Sequence, residues 1–137
     1  MESGEAPTRL FTREEADAML PELRGLLERV AMARRQLLQT TRELDALERK
    51  RDRSNALQLG RSLRELRARL GADRDALRTA FEEITNRGVQ VKNIEPALLD
   101  FPAWHEGRVV LLCWRDGEPS VAHWHDLDVG FAGRQPL

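Results

Sequence analysis

Residues 23–47 read LRGLLERVAMARRQLLQTTRELDAL, and their spacing decides the fold. Leu23, Leu26, Val30, Ala33, Leu37, Thr40, Leu44 and Leu47 recur at intervals of three and four, and only Thr40 is polar. That is a heptad seam on one side of a helix. A second seam follows in Leu59, Leu63, Leu66, Leu70, Asp73, Leu77, Ala80 and Ile84, where only Asp73 is polar. Between them, Glu48 to Asn55 is charged and carries Ser54 and Asn55, either of which can cap the second helix. Two helices of roughly 30 residues joined by a short polar turn predict an antiparallel, coiled-coil-like hairpin about 45 Å long.

Signals at the ends support this. Thr12 with Glu15 forms a capping box at the first helix start. Pro21 predicts a short helix over 13–20, then a bend. Gly88 is a stop for the second helix. Leu27, Ala31, Leu38, Leu57 and Phe81 lie beside the seam, so the apolar stripe is wider than two helices need. Its burial calls for the C-terminal segment, another protein or a second copy, and the expected assembly is a homodimer.

Beyond Gly88 the pattern changes to short apolar runs with period two. Strands are expected at Val89–Lys92, Leu98–Trp104, Arg108–Arg115 and Pro119–His125. Glu106-Gly107 and Asp116-Gly117 separate the last three as hairpin turns. The run at 109–114 is apolar on both faces, which places it centrally and covers it on both sides. The tail after Asp126 should wrap as a loop. The class is α+β: a flexible tail over 1–11, a hairpin over 12–88 and a small antiparallel meander over 89–137.

The whole chain has 137 residues and a net charge of −1. No global field therefore directs it to nucleic acid. The distribution is uneven: −3 over residues 1–20, +6 over 21–92 and −4 over 93–137. No run of residues is apolar enough to span a bilayer, and the acidic start is no secretory signal. Cys113 is the single cysteine, so no internal disulfide forms and a reducing cytoplasm is the expected compartment.

The C-terminal third carries distinctive wording. Leu99-Asp100-Phe101-Pro102-Ala103, Val110 through Arg115, Gly117-Glu118 and Trp124 through Pro136 resemble a family of small bacterial proteins of unknown function. Phe11-Thr12, Glu15-Ala16 and Leu20-Pro21 fit it too. The resemblance implies a cytosolic helical-hairpin protein with no assigned activity. It matches at His125, Asp128 and Arg134, while His105 and His123 fall outside its recurring wording.

Three sites are candidates. Two tight turns would pair His105 with Arg108, Arg108 with His125 and Val110 with His123. His105, His123 and His125 would then share one face with Arg108, with Asp128 or Asp126 adding a carboxylate for a divalent ion such as Zn, Ni or Fe. Cys113 would lie on the other face. Gly133 and Arg134 end a glycine-rich stretch that could hold an anion, though a wrapping turn with Phe131 plugged into the core is the preferred reading. Arg49, Lys50, Arg51 and Arg53 make the hairpin tip basic. A solvated turn is the simpler reading, and binding of nucleic acid or ribosome is the alternative. No nucleophile arrangement and no phosphate-binding glycine loop is present, so no catalytic residue is assigned. The primary expectation is a non-enzymatic, self-associating interaction module; the alternatives are a metal-binding protein or metalloenzyme using the histidine cluster, and a nucleic-acid or ribosome binder through the basic tip.

Overall fold

In the computed structural model, residues 9–50 and 54–137 are described. Helix α1 runs Arg13–Arg49 and helix α2 runs Ala56–Thr85. Five strands follow: β1 Gln90–Asn93, β2 Leu98–His105, β3 Arg108–Arg115, β4 His123–His125 and β5 Gln135–Pro136. They form one antiparallel sheet in the order β1-β2-β3-β4-β5. The class is α+β, a helix pair followed by a meander.

The chain divides into two compact units. One joins the residues up to Leu27 with Glu82–Leu137, and the other is Glu28–Phe81. The base of the helix pair thus groups with the sheet. Residues 9–11, expected in a flexible tail, belong to the same unit. Phe11 is buried, donates its N–H to the Pro102 carbonyl at 2.7 Å and meets the Phe101 ring edge-on at 5.5 Å. The rest of that tail lies outside the described residues.

Helix α1 starts as its cap predicts. Thr12 N–H donates to Glu15 Oε1 at 3.0 Å, and Glu15 N–H donates to Thr12 Oγ1 at 3.1 Å. The helix does not end before Pro21: α1 passes through it and continues to Arg49. Proline forfeits one intrahelical hydrogen bond, but Ala16, Leu20 and Leu23 are all buried on one continuous face while Pro21 points outward. Burial of that face outweighs the local breaker. Gly88 takes φ 87, ends the second helix, and an added Cβ there would press on Arg9 Cβ at 3.1 Å.

Within Glu28–Phe81 the two seams meet as expected. Leu44, Leu59 and Leu63 form a buried cluster, with Leu47, Leu66 and Leu70 packed against it but only partly covered. Thr40 is fully buried and donates its hydroxyl to Asp73 Oδ2 at 2.6 Å. Arg67 pairs with Glu48 at 3.1 Å and Arg69 with Glu43 at 3.0 Å across the same two helices.

In the sheet unit, β3 is central and buried from Val110 to Trp114, as its two-faced apolar run predicts. The β2–β3 turn is the two-residue one foreseen: Glu106 takes φ 50, Gly107 φ 81, and His105 pairs with Arg108. The β3–β4 turn is not. Asp116-Gly117 does turn the chain, with Glu118 N–H on the Arg115 carbonyl at 3.0 Å, but the strand resumes only at His123. Pro119 cannot donate to a ladder, and Val121 N–H goes to Asp17 Oδ1 on α1 at 2.6 Å. The fourth strand is therefore three residues rather than seven. The tail, expected as a loop only, adds β5 against β4, with Trp124 paired to Gln135.

Candidate functional site

The β3–β4 register decides which residues meet. Leu111 pairs with His125, Leu112 with Trp124 and Cys113 with His123. The expected pairs, Arg108 with His125 and Val110 with His123, are displaced by three residues. An odd shift turns every side chain of a strand to the opposite face. Asp100, Cys113, His123 and His125 consequently share one face, and His105 and Arg108 lie on the other. The expected four-residue histidine–arginine cluster does not form.

On the second face, the His105 ring packs at a tilt against Trp124 with centroids 4.7 Å apart, and the Arg108 guanidinium sits 5.4 Å from the Trp124 ring. Arg108 Nε donates to Asp126 Oδ1 at 2.9 Å. Asp128 is exposed in the turn that follows and joins none of the histidines within the group described below. Among the tryptophans, Trp114 and Trp124 pack inside, whereas Trp104 is 65% exposed.

On the first face three neighbouring strands bring Asp100, Cys113 and His125 together. One donor atom from each lies within 4.8 Å of the others, and the residues are 1%, 0% and 2% exposed. Cys113, expected to point away from the histidines, is thus the close neighbour of His125. His125 Nε2 lies 3.1 Å from both Asp100 oxygens, and its Nδ1 lies 2.8 Å from the Asp126 carbonyl. Burial raises the Asp100 carboxyl above the ordinary carboxylate range, against the pull of His125 and Lys92. Burial, with the Asp100 charge added, pushes the Cys113 thiol up to about 12. Lys92 Nζ stands 3.9 Å from Asp100 Oδ2.

Sequence reasoning passed over Asp100 as part of an apolar word. Its signal was there: a lone carboxylate in Leu98-Leu99-Asp100-Phe101-Pro102-Ala103 has nowhere polar to go unless a partner waits on the neighbouring strands.

Arg134 borders this group. Its guanidinium holds Glu118 Oε2, lies 2.6 Å from His123 Nδ1 and reaches within 4.0 Å of Cys113 Sγ. Glu118 Oε1 also accepts the Arg115 N–H at 2.7 Å. Burial raises the Glu118 carboxyl, but the Arg134 and Arg115 bonds outweigh that and lower it on balance. The expected anion site at Gly133 and Arg134 meets a filled geometry. Gly133 N–H donates to the Gly130 carbonyl and Arg134 N–H to the Phe131 carbonyl, both at 3.1 Å. Glu118 already supplies the anion. Gly133 is required for close approach, since a Cβ would lie 2.3 Å from Val129 Cγ1. Phe131 is not plugged into the core. It is 38% exposed, with Arg134 4.6 Å and Arg115 5.7 Å from its ring centre.

At the hairpin tip, Arg49 ends α1 and Lys50 follows in a turn, both exposed. Asn55 donates its side-chain amide to the Lys50 carbonyl at 3.2 Å. Arg51 and Arg53 lie outside the described residues. No helix among the described residues is long and apolar enough to cross a membrane.

A sequence profile of the family described as uncharacterized conserved protein (DUF2203) matches residues 9–137, in keeping with the resemblance carried by the C-terminal wording. No curated protein and no solved structure matches the chain.

Proposed function

The chain belongs to this family of uncharacterized conserved proteins, and from that premise we propose that it is a non-enzymatic interaction module that pairs with a second copy of itself through the helical hairpin. The observation that carries the reading is the half-covered seam of Glu28–Phe81. Leu44, Leu59 and Leu63 are buried, yet Leu37, Leu47, Leu66, Leu70 and Leu77 keep part of their surface in water. Leu38 is 38% and Leu57 78% exposed beside them. Two helices can cover each other along one line only. A second hairpin packed alongside would close the remaining apolar surface as a four-helix bundle, at about 25 cal/mol for each Å² taken from water. A reducing cytoplasm suits the buried free thiol of Cys113.

Sedimentation equilibrium at micromolar concentration tests this. The expected mass is twice the 15.7 kDa of one chain. A single species of one-chain mass at tens of micromolar would overturn it.

A further inference from the structure

We propose that Asp100, Cys113 and His125 form a binding site for a divalent transition metal of zinc-like preference, set between β2, β3 and β4. The tautomer of His125 is the starting point. Nδ1 faces the Asp126 carbonyl at 2.8 Å. A carbonyl only accepts, so the ring hydrogen sits on Nδ1. Nε2 is then left with its lone pair toward the two Asp100 oxygens, each 3.1 Å away. Two acceptors so placed need a cation between them, either a proton or a metal ion. A histidine whose outer ring N–H is held by a backbone carbonyl has the second-nitrogen orientation found in metal-ligating imidazoles, and here that second nitrogen faces a carboxylate.

The distances and donor types suit the ion. Nitrogen and oxygen ligands at about 2.0–2.2 Å around a tetrahedral centre stand about 3.3 Å apart, close to the 3.1 Å found here. Cys113 supplies a soft sulfur from the adjacent strand, within 4.8 Å of the other donors. Asp100, His125 and Cys113 each offer one donor atom, and because both Asp100 oxygens are equidistant from Nε2, the second oxygen can take up the fourth position of a distorted tetrahedron. A thiolate and a carboxylate together balance a doubly charged ion. The mixed sulfur, nitrogen and oxygen set favours zinc over magnesium or calcium. The surrounding charges are Lys92 beside Asp100 and Arg134 beside Cys113, and Arg134 is already held by Glu118. All three ligands are at most 2% exposed, which makes this a closed structural site tying three strands together.

Cobalt(II) titration of the full-length chain, made without a histidine tag and stripped with a chelator, tests the site. Cys113 is the single cysteine, so a thiolate-to-cobalt charge-transfer band can come only from it. The expected result is a near-ultraviolet band that saturates at one equivalent, with the intense visible absorption of a four-coordinate ion, both bleached by zinc. Folded protein that gives no charge-transfer band overturns the proposal. A band of unchanged midpoint in His125→Asn does the same. Should that variant unfold, the wild-type chain still decides: zinc must slow alkylation of Cys113 in partial denaturant, and equal rates with and without zinc reject the site.

Discussion

Thr40 donates its hydroxyl to Asp73 at 2.6 Å, so the one polar residue of each apolar seam is the partner of the other. Thr40 is fully buried, and Gln36 Nε2 also lies 3.4 Å from its oxygen. A hydrogen bond to a carboxylate inside an apolar seam fixes how the helices slide past each other. Thr40→Val keeps the shape and removes the donor, and should cost about 1–2 kcal/mol in urea unfolding. Asp73→Leu alone leaves the buried hydroxyl without its acceptor and should cost a similar amount. The double variant should recover most of the loss, because both polar partners go together. Strictly additive losses would show that the pair does not couple.

The β2–β3 turn offers a gain. Glu106 holds φ 50, a left-handed conformation that costs a side chain other than Asn, Asp or Gly about 1 kcal/mol. Asn followed by Gly107 is the preferred pair in this primed turn. Glu106→Asn should therefore raise the melting temperature by a few degrees in a calorimetric scan. An unchanged or lower value would mean that the 3.7 Å contact of Glu106 with His105 matters more than the backbone.

Local signals carried most of this fold, and long-range ones carried what they missed. The capping box, the two seams, the Gly88 stop and the β2–β3 turn each depend on residues within a few positions of one another. The β3–β4 connection does not. Its length is set where Val121 N–H meets Asp17, more than a hundred residues earlier, and one odd step moved His123 and His125 to the other face. The site failed for the same reason. His125 was in view, but its partners Asp100 and Cys113 become neighbours only once the register is known. Pro21 shows the converse, a strong local signal overridden because the residues on either side of it are buried in the sheet unit.

The self-association reading singles out the outward side chains of the hairpin. Leu38 and Leu57 are 38% and 78% exposed, so replacing both with Glu should change chain stability little, within about 0.5 kcal/mol each. If they lie under a second hairpin, the double variant should sediment as a monomer while its helical circular dichroism stays as in the wild type. A dimer of unchanged affinity would place the interface elsewhere.

Cys113 should be chemically silent in the folded, metal-free chain. It is completely buried, and its thiol is pushed up to about 12 by burial and the neighbouring carboxylate. Alkylation near pH 8 should therefore follow the global unfolding equilibrium and speed up with urea in step with it. A fast reaction in native buffer would show that β3 opens locally, or that the thiol is less shielded than its place between Asp100 and Arg134 implies.

The Arg134–Glu118 pair sets an acid dependence whose sign is fixed. Glu118 is lowered from its ordinary value of 4.5, because the bonds from Arg134 and the Arg115 N–H outweigh the opposing effect of burial. The unfolded chain then binds its proton at a higher pH than the folded one. Stability from this group is fully present above about 4.5 and is lost as pH falls through the lowered folded value. Asp100 runs the other way. Its folded value is raised above 3.8 by burial, so its contribution is greatest in acid and declines as pH rises through the folded value. Arg134→Gln keeps much of the side-chain bulk and removes the charge. It should bring Glu118 back toward its ordinary range and flatten the acid limb of urea stability measured across that window. The remaining slope should include the opposite-signed trend of Asp100, which Asp100→Asn removes. An acid limb of undiminished slope in Arg134→Gln would mean that the Arg115 N–H, at 2.7 Å, holds Glu118 ionised without the guanidinium.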